Sequence, residues 1–400
     1  MWWIPFRVLA NTCDRGNPWF PPTPLGEPMV PPMYYIVRRG VGGEPWVPPL
    51  YRMRIYIYEY PEYLLRYTGF MTHTKKHKNT YTPKNTPKTR KTYSFVVKKQ
   101  LSPSEKESLS EKIRHYSRED IELDFTKLVE IGCKAKTQSN KKLTGNRVVD
   151  AFTFTERLNT IGTKGISFYD FWQIRHSYSR KPYVKKYLEF ANKQHTQKPE
   201  KVWYNLYRFY FTSINCFRPL VAMEYYCMFS PKCVLDMTAG WGGRLVGACA
   251  LNVPKYIGID NNPALKEPYR KMTEFLKPHT KTEMDIRIED ALQVDYSKID
   301  YDMVFTSPPY YDLEIYGDSR KPVYDTKEKW DSEFYRPLFE TTYRHLAKGG
   351  HYCLNIPNDI FERVCLPLLG KPTKQIPLKK SDRRATSSRK YTEYVYVWVK

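Results

Sequence analysis

The stretch that most constrains the fold is residues 302–311, DMVFTSPPYY. It opens with a short apolar run, residues 303–305, that predicts a buried strand. The two prolines end that strand, because a proline donates no N–H to a sheet and forces the residue before it out of the helical region. Ser307 is therefore expected at the carboxyl end of a strand, where open α/β sheets bind ligands. With the aromatic ring of Tyr310 beside it, Ser307 is suited to bind a planar amine. The alternative is that the turn only ends the strand.

A glycine-rich turn lies upstream of this stretch. Residues 233–243, CVLDMTAGWGG, run from an apolar strand into the turn, and residues 244–250 predict a helix start. Glycines let the backbone approach a ligand closely, and the helix behind them presents free N–H groups. Asp236 at the strand end would place a negative charge beside that ligand, which favours a cationic or amino-bearing group over a phosphate. Neither GxxxxGK[ST] nor GxGxxG is present.

Two further strands end in acids. The strand Tyr256–Asp260 ends about 20 residues beyond the glycine turn, where an acid can hold ribose hydroxyls. The strand of residues 286–288 leads into Asp290, which could accept from an adenine amino group. Each aspartate could instead cap a helix. Four polar strand ends in this order nevertheless predict one nucleoside-shaped cleft, formed by Asp236, Asp260, Asp290 and Ser307.

Residues 200–400 resemble the S-adenosylmethionine-dependent amino methyltransferases that modify exocyclic amines of DNA bases. Residues 236–242 resemble the cofactor loop of this family in a divergent form, because Met237, Thr238 and Trp241 replace the family's smaller residues. Ser-Pro-Pro-Tyr resembles the [DNS]PP[YFW] catalytic motif. The resemblance implies an α/β fold of the Rossmann-like class I methyltransferase type, with a mixed sheet and a C-terminal reversed hairpin. It implies S-adenosylmethionine contacts from Phe217, Asp236, Thr238, Gly240, Gly242, Asp260, Asn261, Asp290, Ala291 and Thr306.

The same resemblance implies direct methyl transfer to an amine. Its catalytic residues would be Ser307, Pro308, Pro309 and Tyr310. Ser307 and the Pro308 backbone would accept from the amino group, and Tyr310 would stack on a base that has left the helix stack. Carbon-5 cytosine methylation needs a Pro-Cys motif, and none of the eight cysteines follows a proline. In the family, a serine in the first position of the motif favours methylation of N4 of cytosine, and methylation of N6 of adenine is the next candidate.

Three alternatives stay open from the sequence. The substrate could be an RNA base, or it could be a protein glutamine, although the glutamine enzymes carry Asn where this chain has Ser307. The chain could also be a nucleic-acid binder that keeps the fold without catalysis, against which the intact set of Asp236, Gly240, Gly242 and Ser307 argues.

A formal net charge of +23 indicates a polyanionic partner. We therefore expect DNA, with RNA possible. Residues 164–172 are rich in aromatics, and basic residues follow them closely. This combination suits nucleic acid, and Arg175 and Lys181 are the candidate contacts. The aromatic residues themselves also suit a core. A second basic cluster precedes the final strand and supplies four more candidates, Lys379, Lys380, Arg383 and Arg384.

Composition divides the chain into three parts. Residues 1–100 predict a proline-rich and basic leader and linker, partly disordered. Residues 101–200 predict a small helical domain that is the best candidate for target contact, since no long insertion interrupts the catalytic part. Residues 201–400 predict the methyltransferase domain. A helix from Pro199 to Ile214 would bury one face, Phe209 included, and residues 312–319 would form a mobile loop over the site.

Cysteine usage and hydropathy complete the expectations. The cysteines form no CxxC pair and no cluster at zinc spacing, so we expect no metal. Because Cys233, Cys249 and Cys353 fall in presumed buried elements, we expect free thiols in a reducing intracellular compartment. No apolar run approaches the length of a membrane span, so no membrane partner is expected, and the N-terminal residues do not read as a secretory signal.

Overall fold

The computed structural model describes residues 100–135, 143–194, 197–211, 214–316, 323–378 and 393–400. These residues fall within one compact unit, Lys88–Lys400. The leader and linker predicted before residue 100 lie outside the described residues, as do the four candidates of the second basic cluster, Lys379, Lys380, Arg383 and Arg384.

The described part of residues 101–200 is helical, as predicted. Two of its helices begin at serines, because Ser102 and Ser117 each form a capping box with the acid three residues on. Ser167 forms a third box with Asp170. The helices are α1 Pro103–Ile113, α2 Arg118–Ile131, α3 Asn146–Asn159, α4 Phe168–Ile174, α5 Pro182–Gln194 and α6 Pro199–Tyr210, with 3-10 turns at Gly132–Lys134 and Arg175–Tyr178.

Helices and strands alternate in the remainder of the chain, as a parallel sheet requires. The elements as far as the Ser-Pro-Pro-Tyr motif are α7 Pro219–Phe229, β1 Cys233–Asp236, α8 Gly243–Ala250, β2 Lys255–Asp260, α9 Lys266–Leu276, β3 Glu283–Ile288 and β4 Met303–Thr306. After the motif come α10 Lys327–Lys329, a π-helical turn Trp330–Tyr335, α11 Arg336–His345, β5 His351–Ile356, α12 Asn358–Ile360, a π-helical turn Phe361–Cys365, α13 Leu366–Leu369, β6 Lys374–Leu378 and β7 Glu393–Val399. Short 3-10 turns cover Pro263–Leu265, Lys277–His279, Ala291–Gln293 and Tyr296–Lys298.

The seven strands form one sheet in the order β3-β2-β1-β4-β5-β7-β6. Strands β1 to β5 are parallel, whereas β7 runs antiparallel to both β5 and β6. This order, with its reversed last hairpin, is that of the Rossmann-like class I methyltransferase fold. The predicted fold class is therefore confirmed.

Both faces of the sheet are covered, which explains why its central strands are continuously apolar. Along β4, Met303 and Phe305 pack into one core with α7, α8 and α9, and Val304 packs into a second core with α11. Helices α2 and α3 contribute to the first core through residues such as Leu128 and Val148. The helical region thus packs against the sheet layer and shares its core.

The cysteines correct part of the sequence expectation. Cys233, Cys249 and Cys353 are free and buried, as predicted. Cys133 and Cys227, however, form a disulfide between the turn after α2 and helix α7. They are 94 residues apart in the chain, and the fold brings them together by placing the turn Gly132–Lys134 against α7. None of the described helices is both long and apolar enough to cross a membrane.

Candidate active site

The ends of the central strands meet at one edge of the sheet. Strand β1 pairs with β2 on one side and with β4 on the other, all in parallel. The glycine turn after β1, Asp260 at the end of β2 and the Ser-Pro-Pro-Tyr motif after β4 therefore share that edge. A hydrogen bond of 2.6 Å between the hydroxyls of Thr238 and Thr306 joins the first and the last of these segments directly.

The glycine turn, residues 237–243, depends on its glycines. Gly240 and Gly242 have φ of +59° and +85°, a region that glycine adopts without strain. A Cβ on Gly242 would lie 2.7 Å from the Met272 sulfur, and one on Gly243 would lie 1.8 Å from the carbonyl oxygen of Phe217. Phe217 is thus in direct contact with the turn, beside the predicted cofactor residues.

Asp236 lies behind the turn, with no exposed surface. Arg244 donates to both of its carboxylate oxygens, at 2.6 and 3.1 Å, and the hydroxyls of Tyr256 and Thr306 donate at 2.5 and 2.8 Å. The Asp236 carboxylate raises the pKa of Arg244 against the effect of burial, so the guanidinium stays charged. The negative charge that the sequence suggested beside a ligand is therefore balanced inside the protein, and Asp236 holds the turn in place. Arg244 reinforces this by donating to the carbonyl of Thr238 at 2.6 Å.

Asp260 is the acid that borders the cleft. Its two carboxylate oxygens accept from the backbone N–H groups of Gly240 at 2.7 Å and Asn262 at 3.0 Å. Burial raises the pKa of Asp260 to about 6, against the lowering effect of those two N–H groups. Each oxygen has one protein donor and keeps a lone pair, so the carboxylate can accept two further hydrogen bonds, as from a vicinal diol.

The remaining predicted cofactor residues sit near the ends of β2 and β3. Asn261 is exposed directly after Asp260. Asp290 is exposed and caps the short turn that begins at Ala291, with its side chain accepting from the N–H of Leu292 at 3.0 Å. The capping role that the sequence left open is thus present, and the cofactor role of Asp290 stays a prediction.

The Ser-Pro-Pro-Tyr motif is anchored to the neighbouring strands by a polar network. The hydroxyls of Ser307 and Tyr310 lie 3.1 Å apart. The side-chain carbonyl of Asn355, near the end of β5, accepts from Ser307 at 3.2 Å and lies 3.1 Å from the Tyr310 hydroxyl. The closer acceptor of the Tyr310 proton is Glu393, the first residue of β7, at 2.8 Å. The Asn355 amide nitrogen donates to the carbonyl of Tyr394 at 3.1 Å.

This network fixes the direction of the Ser307 proton. The bond from Asn355 to the Tyr394 carbonyl orients the amide so that its oxygen, which can only accept, faces the motif. Glu393 is the charged acceptor and so attracts the single proton of Tyr310. The Ser307 proton then points to Asn355 or to the Tyr310 oxygen, and the Ser307 oxygen keeps its lone pairs. The Ser307 oxygen can accordingly accept a further hydrogen bond.

The turn of the motif is held from its other side by Tyr335. Its hydroxyl donates to the carbonyl of Pro309 at 2.6 Å and accepts from the N–H of Tyr311 at 3.0 Å. Tyr311 has a φ of +55°, which is strained for a residue with a side chain. Its own hydroxyl donates to Asp331 at 3.0 Å. The surrounding contacts therefore enforce a backbone shape that the sequence alone would disfavour.

The segment after the motif differs from its prediction in one respect. The expected mobile loop of residues 312–319 is described only to residue 316. Within that part, Ile315 forms an antiparallel bridge with Ile161, through backbone bonds of 3.0 and 2.9 Å. Tyr316 places its ring 6.1 Å from that of Trp241 in the glycine turn. This part of the loop is thus tied to the helical region and lies beside the cleft.

Two of the six predicted nucleic-acid contacts, Arg175 and Lys181, are among the described residues, and both lie in the helical region. Arg175 stacks its guanidinium on the ring of Trp172, with 3.7 Å between the Cζ atom and the ring centre, and burial lowers its pKa. Lys181 is exposed just before α5. The aromatic residues Phe168 and Phe171 are fully buried, as the core interpretation required.

Three features of the site were missed by the sequence analysis. Arg244 was assigned only to a helix start, although an arginine in the first turn of a helix behind a glycine loop is an available signal for an internal ion pair. Asn355 is a polar residue in an otherwise apolar strand, which marks a buried polar contact. Glu393 opens the final strand and is buried, and nothing in its local sequence indicates that contact.

Comparison with known proteins found no matching family model and no matching curated protein. Similar solved structures include TrmN from Thermus thermophilus, at 15% identity and a TM-score of 0.32, over 46% of this chain and 48% of that one. The 16S rRNA N2 methyltransferase RsmC from T. thermophilus, in complex with AdoMet and guanosine, has 13% identity and a TM-score of 0.26, over 42% and 35% of the two chains. A putative RNA methyltransferase from Pyrococcus horikoshii has 17% identity and a TM-score of 0.28, over 46% and 81%. The chain spans about half the length of TrmN, and none of these similarities is close enough to indicate its activity or substrate.

The residues at the sheet edge fit a nucleoside cofactor. Gly240 offers a place where a Cβ would meet only the Thr238 carbonyl at 3.8 Å, so the space in front of the turn is open. Asp260 borders it with two oxygens that can still accept. Among the described residues, no group of three or more His, Cys, Asp or Glu is placed to hold a metal ion.

Proposed function

We propose that this chain is an S-adenosylmethionine-dependent methyltransferase that methylates an exocyclic amine of a DNA base, with N4 of cytosine slightly favoured over N6 of adenine. The observation that carries the proposal is the set of acceptors around the Ser307 hydroxyl. The Asn355 carbonyl and the Tyr310 oxygen can each take its proton, at a sheet edge shared with the glycine turn. An oxygen presented in this way suits the N–H of an amine.

The cofactor would be held by the residues around the glycine turn. Asp260 would accept from the two ribose hydroxyls, and it is ionised above its pKa of about 6. Gly240 and Gly242 leave room for close backbone approach. Asp236 and Arg244 support the turn from behind without touching the ligand. When bound, S-adenosylmethionine supplies an electrophilic methyl group.

The motif residues would position the base. Ser307, together with the Pro308 carbonyl, would accept from the amino group and orient its lone pair toward the methyl group. Tyr310 would stack on the base, and its ring is well fixed for this because its hydroxyl is bonded to Asn355 and Glu393. Positioning and electrostatics would then supply most of the rate, without a covalent enzyme intermediate.

The helical residues 101–200 would contact the target. They share a core with the sheet layer, and Ile161 is bonded to the segment that follows the motif. Arg175 and Lys181 remain the candidate contacts of this part, and the net charge of +23 supports a nucleic-acid substrate.

The direct test is nucleoside mass spectrometry. The full chain is incubated with S-adenosylmethionine carrying a deuterated methyl group and with unmethylated DNA, with RNA in parallel, and the nucleic acids are then digested. Labelled N4-methylcytosine or N6-methyladenine in the DNA is the expected result. The matched control is Ser307→Ala, which should lower turnover and leave cofactor affinity nearly unchanged. Asp260→Ala should instead weaken cofactor binding first.

The outcomes separate the parts of the proposal. Label found only in RNA would keep the chemistry and overturn the DNA substrate. Cofactor binding without label in either nucleic acid would overturn the nucleic-acid substrate and favour a protein target. If S-adenosylmethionine and its demethylated product fail to raise the melting temperature, the chain is not a methyltransferase.

A further inference from the structure

Helices α5 and α6 carry an aromatic and basic face that the cleft does not use. Its members are Tyr183, Lys186, Tyr187 and Phe190 on α5 and Phe209 and Tyr210 on α6, here called the α5–α6 face. Tyr183, Phe190, Phe209 and Tyr210 are each about two-fifths exposed, at 38%, 39%, 41% and 43%. Phe209 was expected to face the core, and the structure places it instead at the outer edge of the helix pair.

The rings of this face are organised. The Tyr183 and Tyr210 ring centres are 4.6 Å apart, and those of Tyr187 and Phe209 are 5.8 Å apart, so each contact joins the two helices. On α5, Tyr183, Lys186 and Phe190 recur at spacings of three and four residues and so share one side of the helix. Tyr187 is itself buried, at 7% exposure, so the exposed part of the face consists of the Tyr183, Phe190, Phe209 and Tyr210 rings with Lys186 beside them, here called the strip.

The chain segment that carries the strip is strongly basic. Between residues 180 and 208, the acids are Glu189 and Glu200, and both approach lysines, Lys185 and Lys112, at 4.0 Å. The basic residues of that stretch are Arg180, Lys181, Lys185, Lys186, Lys193, Lys198, Lys201 and Arg208. A polyanion is the partner that complements this excess.

We infer that the α5–α6 face binds a single-stranded stretch of nucleic acid, with bases stacked on its exposed rings and phosphates beside its lysines. Aromatic rings accept the flat face of any base, and the surrounding lysines follow the backbone. A protein partner fits less well, because the centre of a protein interface is depleted in lysine and Lys186 lies within the strip. This inference rests on the proposed function, since it names how that substrate is held.

The face is linked to the cleft through one segment. The Tyr207 hydroxyl on α6 donates to the carbonyl of Ile166 at 2.9 Å. Five residues earlier, Ile161 pairs with Ile315 in the segment after the motif. Burial raises the pKa of Tyr207, and Glu314 is close enough to add to that rise. A strand held on the face would thus be bound by the same helical layer that borders the loop beside Ser307.

The test measures binding without catalysis. The full chain, without S-adenosylmethionine, is titrated into a fluorescein-labelled single-stranded 20-nucleotide oligo(dT) and into a duplex of equal length, and fluorescence anisotropy is followed at several salt concentrations. Tyr210→Ala and Phe190→Ala should each weaken single-strand binding roughly 5- to 150-fold, the loss of one stacked base. Duplex binding should change less. Tyr210→Phe, which keeps the ring, should bind like the unchanged chain.

The charge is tested separately from the rings. Lys186→Gln should lower the slope of log affinity against log salt by about 0.7 if the lysine meets one phosphate of a single strand. Leu123→Ala and Lys127→Gln on α2 are the matched controls, since both residues are exposed outside the face. Neither control should alter the affinity or the slope. Melting temperatures of all variants verify that each is folded.

Two results would overturn the inference. One is unchanged single-strand affinity in the aromatic variants, as would follow if a protein partner occupied the face. The other is an equal loss of affinity for the single strand and the duplex, which would show that the rings do not stack on unpaired bases. The proposed function is tested separately. If the chain binds oligo(dT) through the face but methylates no nucleic acid, the inference stands and the proposed activity is wrong. If it methylates DNA but the aromatic variants bind oligo(dT) normally, the activity stands and the inference is wrong.

Discussion

Replacing Arg244 by methionine tests the centre of the site, because it breaks the buried pair with Asp236 while nearly conserving volume. The guanidinium makes three hydrogen bonds, two to Asp236 and one to the Thr238 carbonyl, and lies 4.9 Å from the ring of Phe217. Removing one partner of a buried ion pair costs about 3–5 kcal/mol, mainly because the other charge is left unbalanced.

The contacts that remain place the expected loss at the lower end of that range. Asp236 would keep the Tyr256 and Thr306 hydroxyls, at 2.5 and 2.8 Å. We therefore expect Arg244→Met to lower the free energy of unfolding by about 3 kcal/mol. Because domains are typically stable by about 5–15 kcal/mol, the variant should still fold at 25 °C. Its affinity for S-adenosylmethionine should fall as well, since the Thr238 carbonyl loses its donor.

Urea unfolding followed by near-ultraviolet circular dichroism measures the effect, and a double-mutant cycle isolates its cause. Asp236→Asn alone leaves the arginine unpaired and should cost a similar amount. The double variant contains neither buried charge. Its loss of unfolding free energy should therefore be clearly smaller than the sum of the two single losses. Additive losses, or a loss below about 1 kcal/mol for Arg244→Met, would show that the pair does not support the turn as described.

Three further predictions follow from the geometry. Asn355→Ala should lower turnover about tenfold, the value of roughly one hydrogen bond, with cofactor affinity unchanged by calorimetry; Asn358→Ala is the control. The dissociation constant for S-adenosylmethionine should rise about tenfold per pH unit as pH falls below about 6, where Asp260 becomes protonated, and Asp260→Asn should remove this dependence. Because the pKa of Asp260 in the folded chain lies above its usual value of 3.8, the same group stabilises the fold as pH falls from about 6 toward 3.8. Dithiothreitol should lower the free energy of unfolding by about 2–4 kcal/mol in the unchanged chain but not in a Cys133→Ser/Cys227→Ser variant.

The sequence predicts the strand ends well because the signals there are local. An apolar run followed by Pro-Pro can only be a strand that stops, and β4 ends at Thr306 as that pattern requires. The glycines at 240 and 242 likewise occupy positions of positive φ. Serines followed by an acid three residues on begin α1 and α2. Each of these features is decided within a few residues of chain.

The features that the sequence does not predict are decided by register between distant segments. Asn355 meets Ser307 because β5 pairs with β4, and Glu393 joins them only because β7 is reversed against β5. Asp236 was expected to face a ligand because a strand end is usually open. Whether an acid there points outward depends on a cation from the next helix, here Arg244, and local pattern carries no information about that contact.

The network around Ser307 bears on why a serine can occupy the first position of this motif. A hydroxyl can donate or accept, whereas the methyl-accepting amine needs an acceptor, so a serine free to rotate would present its proton part of the time. Asn355 removes that choice, because its amide is oriented by the Tyr394 carbonyl and leaves an oxygen for the Ser307 proton. Under the proposed function, the acceptor of the amine N–H would therefore be Ser307 and Asn355 together. A change at Asn355 that keeps an oxygen but loses the bond to Tyr394 should therefore impair turnover although Ser307 is intact.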